Sequence, residues 1–448
     1  MKSKVSISPQ NINIEKLVRE AMAMTDKMWW HHNNPGNKPE NGKMNLTELR
    51  KKQSEEVPEE MQEIISKAIK DGVQAMILRT EKNRKCVKMN GINLFVNESE
   101  FGYEMTDNAY CEYMPTNHIA CHSMAATTVM EAEAEEDLFC HCKDGKCTAS
   151  CKCRVIEEMF KNQRAYRKAD RRYHSCSFEC DCKGQCRSSV KDAPEEGTEV
   201  MLHHITEKGF AVRAKQYFAP GETVAEMTGE LVPTNTLARD DPYAIDIFNA
   251  EYDGKELLDF LDGKFIGAHK TVKKYSKSYI RNLENLYEND FSINPTDFST
   301  AGRFMSSSCF PNVKTTIVYS GGANPLRARA IFTAVMPIFP NMEISFNYGI
   351  DYIFQQLKDV CKCGMLCCVT NSHLYEYLRD EHWKRFFKEL YQAVYPEFKE
   401  NVINEIKGKL PQPLFDSKKK KKNSASRRKI NILSRARKAT LRSNRATL

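Results

Sequence analysis

The chain has 448 residues, which is enough for two or three domains, and 41% of them are hydrophobic. We find no run of about 20 apolar residues and no apolar core of a signal peptide near the start, so neither a membrane protein nor an exported protein is expected. A cytosolic or nuclear location, where thiols stay reduced, is expected instead. In that compartment the 17 cysteines indicate metal binding rather than disulfides.

The net charge of +8 is unevenly distributed. Residues 418–448 contain 13 lysines and arginines and no acidic residue, which leaves a charge of −5 for the rest of the chain. An acidic body favours a basic peptide over DNA as the partner, because it would repel DNA phosphates. The basic tail is predicted to be disordered. Its runs at 418–422 and 427–429 are typical of nuclear import signals or of arms that bind nucleic acid nonspecifically.

In chain order, the first 50 residues are polar and are predicted to be irregular. Residues 58–80 place apolar side chains at helical spacing, which predicts one amphipathic helix, and residues 90–103 alternate as strands do. Residues 199–349 contain short β-like runs separated by turns, interrupted at 249–291 by charged, partly helical sequence. Aromatic residues at helical spacing predict a further helix within residues 374–406.

Nine cysteines lie in two groups between residues 140 and 186. They are Cys140, Cys142, Cys147, Cys151 and Cys153, followed by Cys176, Cys180, Cys182 and Cys186. A structural zinc ion takes four ligands, so isolated four-thiolate sites would leave one cysteine unused. Three zinc ions need twelve ligand positions. Six thiolates that each bind one ion, together with three that each bridge two ions, supply all twelve. One or two ordinary zinc sites with spare buried cysteines are the alternative.

The spacing of the nine cysteines resembles a known zinc-binding domain. Cys-x-Cys-x4-Cys-x3-Cys-x-Cys, followed by Cys-x3-Cys-x-Cys-x3-Cys, is similar to the pre-SET domain of the suppressor-of-variegation class of histone lysine methyltransferases. In that family nine cysteines hold a triangle of zinc ions. The resemblance implies that a SET domain and a short post-SET domain follow.

The post-SET resemblance rests on Cys361, Cys363 and Cys368. Three thiolates leave a zinc ion one ligand short. The family implies Cys309 as the fourth ligand. Cys367 is an alternative, and a local zinc knuckle that ignores Cys309 is another.

The segment Glu343–Gly349, EISFNYG, resembles the last strand motif of SET domains. The family places the tyrosine of this motif at the point of methyl transfer, which implies that Tyr348 is catalytic. It uses the position of Phe346 to set the number of methyl groups, and a phenylalanine there leaves room for a larger product than a tyrosine would. Tyr243 matches the tyrosine of the substrate channel. Without the neighbouring motifs, a packed aromatic pair would explain Phe346 and Tyr348 equally well.

Two segments resemble those that contact S-adenosyl-L-methionine in the family. Gly209, Phe210 and Ala211 stand at a Gly-x-Gly motif, with alanine in place of the second glycine. Arg303 begins the sequence RFMSSSCFPN, which resembles Arg-Phe-x-Asn-His-Ser-Cys-x-Pro-Asn, with Ser306 and Ser307 in place of the Asn-His pair. Backbone contacts of that pair survive such a change, whereas those of the asparagine amide do not.

The sequence therefore predicts a mostly β chain with a SET-domain fold of small sheets and a pseudoknot, preceded by a zinc-cluster domain and flanked by helical extensions. The expected boundaries are 1–100 for a partly helical N-terminal extension, 101–190 for the pre-SET domain, 199–350 for the SET domain with an insertion at about 250–291, 359–370 for the post-SET motif, 371–415 for a helical extension and 416–448 for the basic tail.

The activity implied by the resemblance is methyl transfer from S-adenosyl-L-methionine to a lysine of a histone tail, with lysine nine of histone H3 favoured. Expected partners are histone H3 and chromatin, with nonspecific nucleic-acid contact through the tail and no membrane. The expected location is the nucleus, on the chromosome. The alternatives are a non-catalytic chromatin-binding relative and a zinc protein that binds only DNA, although the acidic body argues against the latter.

Overall fold

The computed structural model describes the residues in the ranges 12–34, 55–78, 84–89, 92–97, 112–114, 117–119, 139–142, 147–148, 151, 153–155, 171–177, 179–184, 200–205, 208–237, 243–255, 257–258, 275–320 and 324–394. Several sequence predictions lie outside the described residues. They concern Cys186, residues 259–274 of the 249–291 insertion, the end of the C-terminal helical extension and the basic tail.

The helices of the described residues are α1 (Ile14–Asn33), α2 (Glu59–Leu78), α3 (Lys277–Leu286), α4 (Ile350–Gln356) and α5 (Asp380–Val394). The strands are β1 (Arg84–Met89), β2 (Ile92–Asn97), β3 (Glu112–Tyr113), β4 (His118–Ile119), β5 (Arg171–Ser175), β6 (Val200–Ile205), β7 (Gly209–Ala214), β8 (Thr223–Met227), β9 (Glu230–Pro233), β10 (Ile245–Phe248), β11 (Phe291–Asn294), β12 (Phe298–Ser299), β13 (Ser306–Ser307), β14 (Val313–Ser320), β15 (Ala328–Ala334) and β16 (Glu343–Phe346).

These short strands form several small sheets. One sheet has the order β1-β2-β6-β7-β16-β13, a second β10-β11-β9-β4, a third β5-β14-β15-β8, and β12 pairs with β3. Apolar residues of β8, β14 and β15 fill the centre of the third sheet, where Ala330, Ile331 and Phe332 are fully buried. The prediction of a mostly β, SET-type fold of small sheets is confirmed by this architecture.

Strand β16 lies between β7 and β13 in the first sheet. It pairs with β7 in the antiparallel direction and with the two-residue strand β13 in the parallel direction. The buried Asn312 side chain continues this pairing, because its Nδ2 donates to the Glu343 carbonyl oxygen at 2.7 Å and its Oδ1 accepts from the Ser345 amide at 2.9 Å. Two segments far apart in the chain are thereby joined, as the predicted pseudoknot requires.

A tight backbone contact places the turn at Ala301–Phe304 against β8. The Thr300 hydroxyl donates to the Glu226 carbonyl oxygen, and the Ser299 hydroxyl donates to the Thr228 carbonyl oxygen at 2.7 Å. Gly302 faces the same strand, where an added Cβ would lie 2.8 Å from the Glu226 carbonyl oxygen. Only a residue without a side chain allows this approach.

Helix α1 contradicts one sequence prediction. The first 50 residues were expected to be irregular, yet Ile14–Asn33 forms a helix that begins at Asn13, whose side chain accepts from the Lys16 amide at 3.0 Å. Its buried residues Leu17, Val18, Ala21, Thr25 and Met28 share one face, which packs toward α5. The polar composition of the segment concealed this narrow apolar stripe.

Helices α2 and α5 lie where helical sequence was predicted. Helix α2 buries Ile65, Ile69 and Val73 and packs on α5. Helix α5 buries a continuous aromatic face that includes Trp383 and Tyr391. Among the described residues, no helix is both long and apolar enough to cross a membrane.

The Gly302 contact generates a stability prediction. We expect Gly302→Ala to lower the free energy of unfolding by about 1–3 kcal/mol, because the new methyl group meets backbone atoms of β8 that cannot move independently. Gly254→Ala is the matched control, since its Cβ would meet Phe248 and Tyr287 at an ordinary 3.5 Å. Urea denaturation measures both variants, and equal stabilities would contradict the steric explanation.

Candidate active site and metal centres

Tyr348 follows β16 at the point where the chain turns into α4. Its hydroxyl donates a hydrogen bond to the Met305 carbonyl oxygen at 2.5 Å. Its ring lies 4.7 Å from that of Phe346 and 5.6 Å from that of Tyr352, measured between centroids. Burial, followed by the neighbouring Tyr352 and Tyr243, raises the pKa of the Tyr348 phenol. The hydroxyl is therefore protonated at neutral pH and fixed in direction by the Met305 carbonyl.

Phe346 forms the inner side of this aromatic group. It is buried, with its ring 4.9 Å from that of Phe332 on β15. The side chain therefore packs on the third sheet on one side and on Tyr348 on the other. This support on two sides fixes the position of the Phe346 ring next to Tyr348.

Tyr243 is the solvent-exposed member of this aromatic group, with 39% of its surface exposed. The buried guanidinium of Arg303 lies 4.6 Å from the centre of the Tyr243 ring and 5.2 Å from that of Phe304. A cation over an aromatic face is attractive and is strengthened by burial. Arg303 was expected to contact a cofactor, and the structure places its charge against the Tyr243 ring.

The other residues expected to contact a cofactor lie on both sides of β16. Gly209 begins β7 with φ +79°, and nothing lies within 4 Å of the position its Cβ would take. Phe210 packs edge-on against Phe304 with centroids 5.8 Å apart, whereas Ala211 is fully buried. On the other side, Ser306 and Ser307 form β13. These two segments therefore flank the strand that leads to Tyr348.

A buried ion pair that the sequence did not reveal lies next to these residues. The Lys208 ammonium is 2.8 Å from the Glu343 carboxylate, and both side chains are almost fully buried. The ion pair joins the start of β7 to the start of β16. The Ser307 hydroxyl is also buried and has no hydrogen-bond partner among the described residues. It is free to bind a polar group of a ligand.

Four cysteine thiols converge beside β13. The Sγ atoms of Cys309, Cys361, Cys363 and Cys368 all lie within 4.8 Å of one another, and those of Cys309 and Cys361 are 3.9 Å apart. A Zn–S distance of about 2.3 Å in a tetrahedron separates the sulfurs by about 3.8 Å, so the set fits a zinc ion. Cys367 lies outside the group.

The surroundings of these four thiols suit a cation. The Val369 amide donates to the Cys309 sulfur at 3.3 Å, and the Thr370 hydroxyl donates to the Cys368 sulfur at 3.1 Å. Hydrogen bonds with the three other thiols, together with burial, raise the pKa of Cys309. A bound cation would reverse this effect by stabilising the thiolates.

The predicted pre-SET cysteines also form a cluster. Eight of them are described, and all eight are free thiols. The Sγ atom of Cys140 lies 3.7 Å from that of Cys147 and 3.9 Å from that of Cys176, while those of Cys153 and Cys180 are 3.9 Å apart. These separations are too long for disulfides and match two ligands of one metal ion.

Three overlapping groups in the cluster have the geometry of a four-thiol metal site. They are Cys140, Cys147, Cys176 and Cys182; Cys140, Cys151, Cys153 and Cys176; and Cys140, Cys142, Cys147 and Cys151. All three contain Cys140, so no two of them are independent sites. The cysteine clusters can therefore hold metal, and the shared thiols favour bridging.

Comparison with known proteins identifies the central region. The family model for the SET domain matches residues 209–349. The histone-lysine N-methyltransferase SUVR3 of Arabidopsis thaliana is 25% identical over 229 residues, which are 49% of this chain and 58% of that protein. The H3 lysine-9 specific histone-lysine N-methyltransferase SUVH1 of Nicotiana tabacum is 25% identical over 44% of this chain and 24% of its own length. The matches thus cover about three fifths of SUVR3 and a quarter of SUVH1.

Among solved structures, KRYPTONITE in complex with mCHH DNA, an H3(1–15) peptide and SAH is similar to 63% of this chain and 51% of that chain, with 19% identity and a TM-score of 0.40. The SET-like motifs at 209–211, 303–312 and 343–349 all lie within the matched region. Residues 209–349 of this chain are a SET domain, and its relatives are histone-lysine methyltransferases of the suppressor-of-variegation class.

Proposed function

We propose that the protein is a lysine N-methyltransferase that transfers a methyl group from S-adenosyl-L-methionine to a histone lysine. The observation that carries the proposal is the Tyr348 hydroxyl, which is held by the Met305 carbonyl next to Phe346 and near Tyr243. The strands expected to bind the cofactor flank β16, which leads to this hydroxyl. When bound, the cofactor supplies an electrophilic methyl group on a sulfonium.

The residues of the site have distinct roles in this reaction. A lysine amine has a pKa of about 10.4 and must be neutral to attack. The Tyr348 hydroxyl donates a hydrogen bond to the Met305 carbonyl oxygen, which leaves the phenol oxygen lone pairs available to accept a hydrogen bond from the amine and orient it. The rings of Phe346 and Tyr243 exclude water from the transfer point and align the lysine side chain.

The proposed substrate is a histone tail, with lysine nine of histone H3 as the favoured target. Support comes from the family resemblance and from SUVH1, a relative named for that specificity. The acidic charge of the chain outside its tail favours a basic peptide. Phe346, rather than tyrosine, favours products beyond monomethyllysine. The basic run at residues 418–422 supports a nuclear location and added contact with nucleic acid in chromatin.

The proposed metal content is three zinc ions in the first cysteine cluster and one at Cys309, Cys361, Cys363 and Cys368. The shared Cys140 supports bridging in the cluster. A thiol that belongs to three four-thiol groups must bind two metal ions if more than one of the groups is occupied. Each zinc ion would contribute folding energy by cross-linking distant segments.

A second candidate function is that of a non-catalytic SET protein that binds chromatin. Ser306 and Ser307 replace an asparagine and a histidine, and the Ser307 hydroxyl lacks a partner among the described residues. This change affects ligand contacts and leaves the fold intact, as expected if binding has weakened during evolution.

The phenol hydroxyl supplies the first test. Tyr348→Phe keeps the ring and removes the oxygen that orients the amine, so methyl transfer should fall at least a hundredfold, or about 2.7–4 kcal/mol. Affinity for the cofactor should change little. Tyr352→Phe removes a neighbouring hydroxyl and should retain activity. Radiolabelled methyl transfer to histone H3, with calorimetry for the cofactor, measures both effects. Full activity of Tyr348→Phe would refute the assigned role.

The metal proposal is tested by composition. Reduced, freshly purified protein should contain about four zinc ions, and Cys182→Ser should lose zinc and stability because it removes a ligand from the first cluster. Ser177→Ala is the control, since it removes a hydroxyl next to Cys176 whose hydrogen bonds go to Glu179 and not to a thiol. Mass spectrometry of the metal content gives the count. Two or fewer zinc ions in the parent protein would exclude the bridged cluster.

The serine pair separates the two candidate functions. The double variant Ser306→Asn, Ser307→His should bind S-adenosyl-L-methionine more tightly than the parent, because it restores side-chain groups that contact it in the family. Fluorescence titration measures the affinity. Activity in the double variant but not in the parent would identify a decayed enzyme, and no binding by either would overturn the methyltransferase proposal.

A further inference from the structure

Helix α2, which lies outside the SET domain, contacts the backbone of the loop that contains Cys361, Cys363 and Cys368. Gly72 faces Gly364, and a Cβ at Gly72 would lie 2.5 Å from the Gly364 carbonyl oxygen and 3.1 Å from Phe386 Cε2. Glycine weakens a helix interior, yet it allows this approach. Gly364 itself has φ +71° and stands between two residues of the loop, Cys363 and Met365.

Helix α1 reaches the same loop at the next cysteine. The buried Thr25 hydroxyl donates to the Ala21 carbonyl oxygen at 2.8 Å and lies beside the Cys367 thiol. The Tyr375 hydroxyl donates to the Cys367 carbonyl oxygen at 2.8 Å. Cys367 is thereby held by two elements, although it does not belong to the four-thiol group.

Helix α5 packs against the segment that contains Cys309, the remaining thiol of the four-thiol group. Phe310 follows Cys309, and its ring lies 6.0 Å from that of Trp383 and 5.8 Å from that of Phe387. Helices α1 and α2 both pack on α5, and Arg385 of α5 donates to the Ser66 hydroxyl of α2 at 3.2 Å. The three helices therefore form one body that touches both parts of the four-thiol group.

The same body extends to the residues expected near the cofactor. A small cavity of about 20 Å³ is bounded by Met76 of α2 and Leu390 of α5 on one side and by Lys208, Ser307 and Glu343 on the other. Cys363 also lines it. Displacement of α2 would therefore disturb both the cysteine loop and the side of the cavity formed by Lys208, Ser307 and Glu343.

We propose that α1, α2 and α5 act as a brace that holds the four-thiol loop in its metal-binding conformation, with Gly72 and Thr25 as positioning residues. This inference rests on the proposed zinc ion at that loop. It assigns α1 and α2 a part in forming the site, rather than that of an independent extension.

The test is the rate at which zinc leaves the full-length protein in the presence of a coloured chelator. In Gly72→Ala the added methyl group pushes α2 away from Gly364, so about one zinc per chain should be released at least tenfold faster. Release from the first cluster should stay unchanged. Alkylation followed by peptide mass spectrometry should locate the newly reactive thiols at Cys361, Cys363 and Cys368. Asp71→Ala is the matched control, because it improves the same helix at an exposed position without adding an atom toward Gly364.

Thr25→Val is the second variant, since it removes the contact to Cys367 at nearly constant volume and keeps the test valid if Gly72→Ala does not fold. It should also speed the release of one zinc. Parent-like release from Thr25→Val and from any folded Gly72→Ala protein would overturn the brace. A parent protein in which Cys309 and the loop cysteines carry no zinc would instead refute the metal proposal, so the two failures are distinguishable.

Discussion

The attachment of residues 299–312 to β8 and β16 is the constraint on which the rest of the site depends. Gly302 allows the turn to lie against the β8 backbone, and the buried Asn312 amide completes the hydrogen bonds of β16. The segment between these two points supplies the Met305 carbonyl, Ser307 and Cys309. A single docked segment therefore fixes the acceptor for Tyr348, one wall of the expected cofactor site and one cysteine of a metal group. Loosening either end would disturb all three.

Electrostatics explain why the cysteine groups favour metal binding, whereas the aromatic group around Tyr348 keeps a neutral hydroxyl. Hydrogen bonds among the four crowded thiols raise the pKa of Cys309 and lower the pKa of Cys363, so the group cannot be fully ionised without a cation close by. The phenol of Tyr348 also has a raised pKa, yet it needs no cation, because its neutral form makes the hydrogen bond to Met305. The same burial therefore favours metal binding at one place and a neutral hydrogen-bonding group at the other.

Sequence was most informative where a motif constrains spacing. The grouping of Cys309 with Cys361, Cys363 and Cys368 could be anticipated because a tetrahedral zinc ion needs a fourth ligand and the family resemblance implied Cys309 for it. Helix α1 was missed because its apolar stripe is narrow and lies within polar sequence. The Met305 carbonyl could not be predicted, since any residue supplies a backbone oxygen. The orientation of Arg303 toward Tyr243 depends on tertiary packing that no local pattern records.

Ser306 and Ser307, which stand where the resembling family has an Asn-His pair, keep a regular backbone pairing in β13. Ser306 and Ser307 still pair with Ser345 and Phe346, and the Ser308 amide still donates to the Phe346 carbonyl oxygen at 2.9 Å. Backbone geometry thus survives the loss of the larger side chains. The remaining Ser307 hydroxyl is buried without a partner among the described residues, which is unfavourable unless a ligand satisfies it. A polar ligand at this position would therefore gain a hydrogen bond and relieve an existing cost, so the substituted site retains a physical reason to bind one.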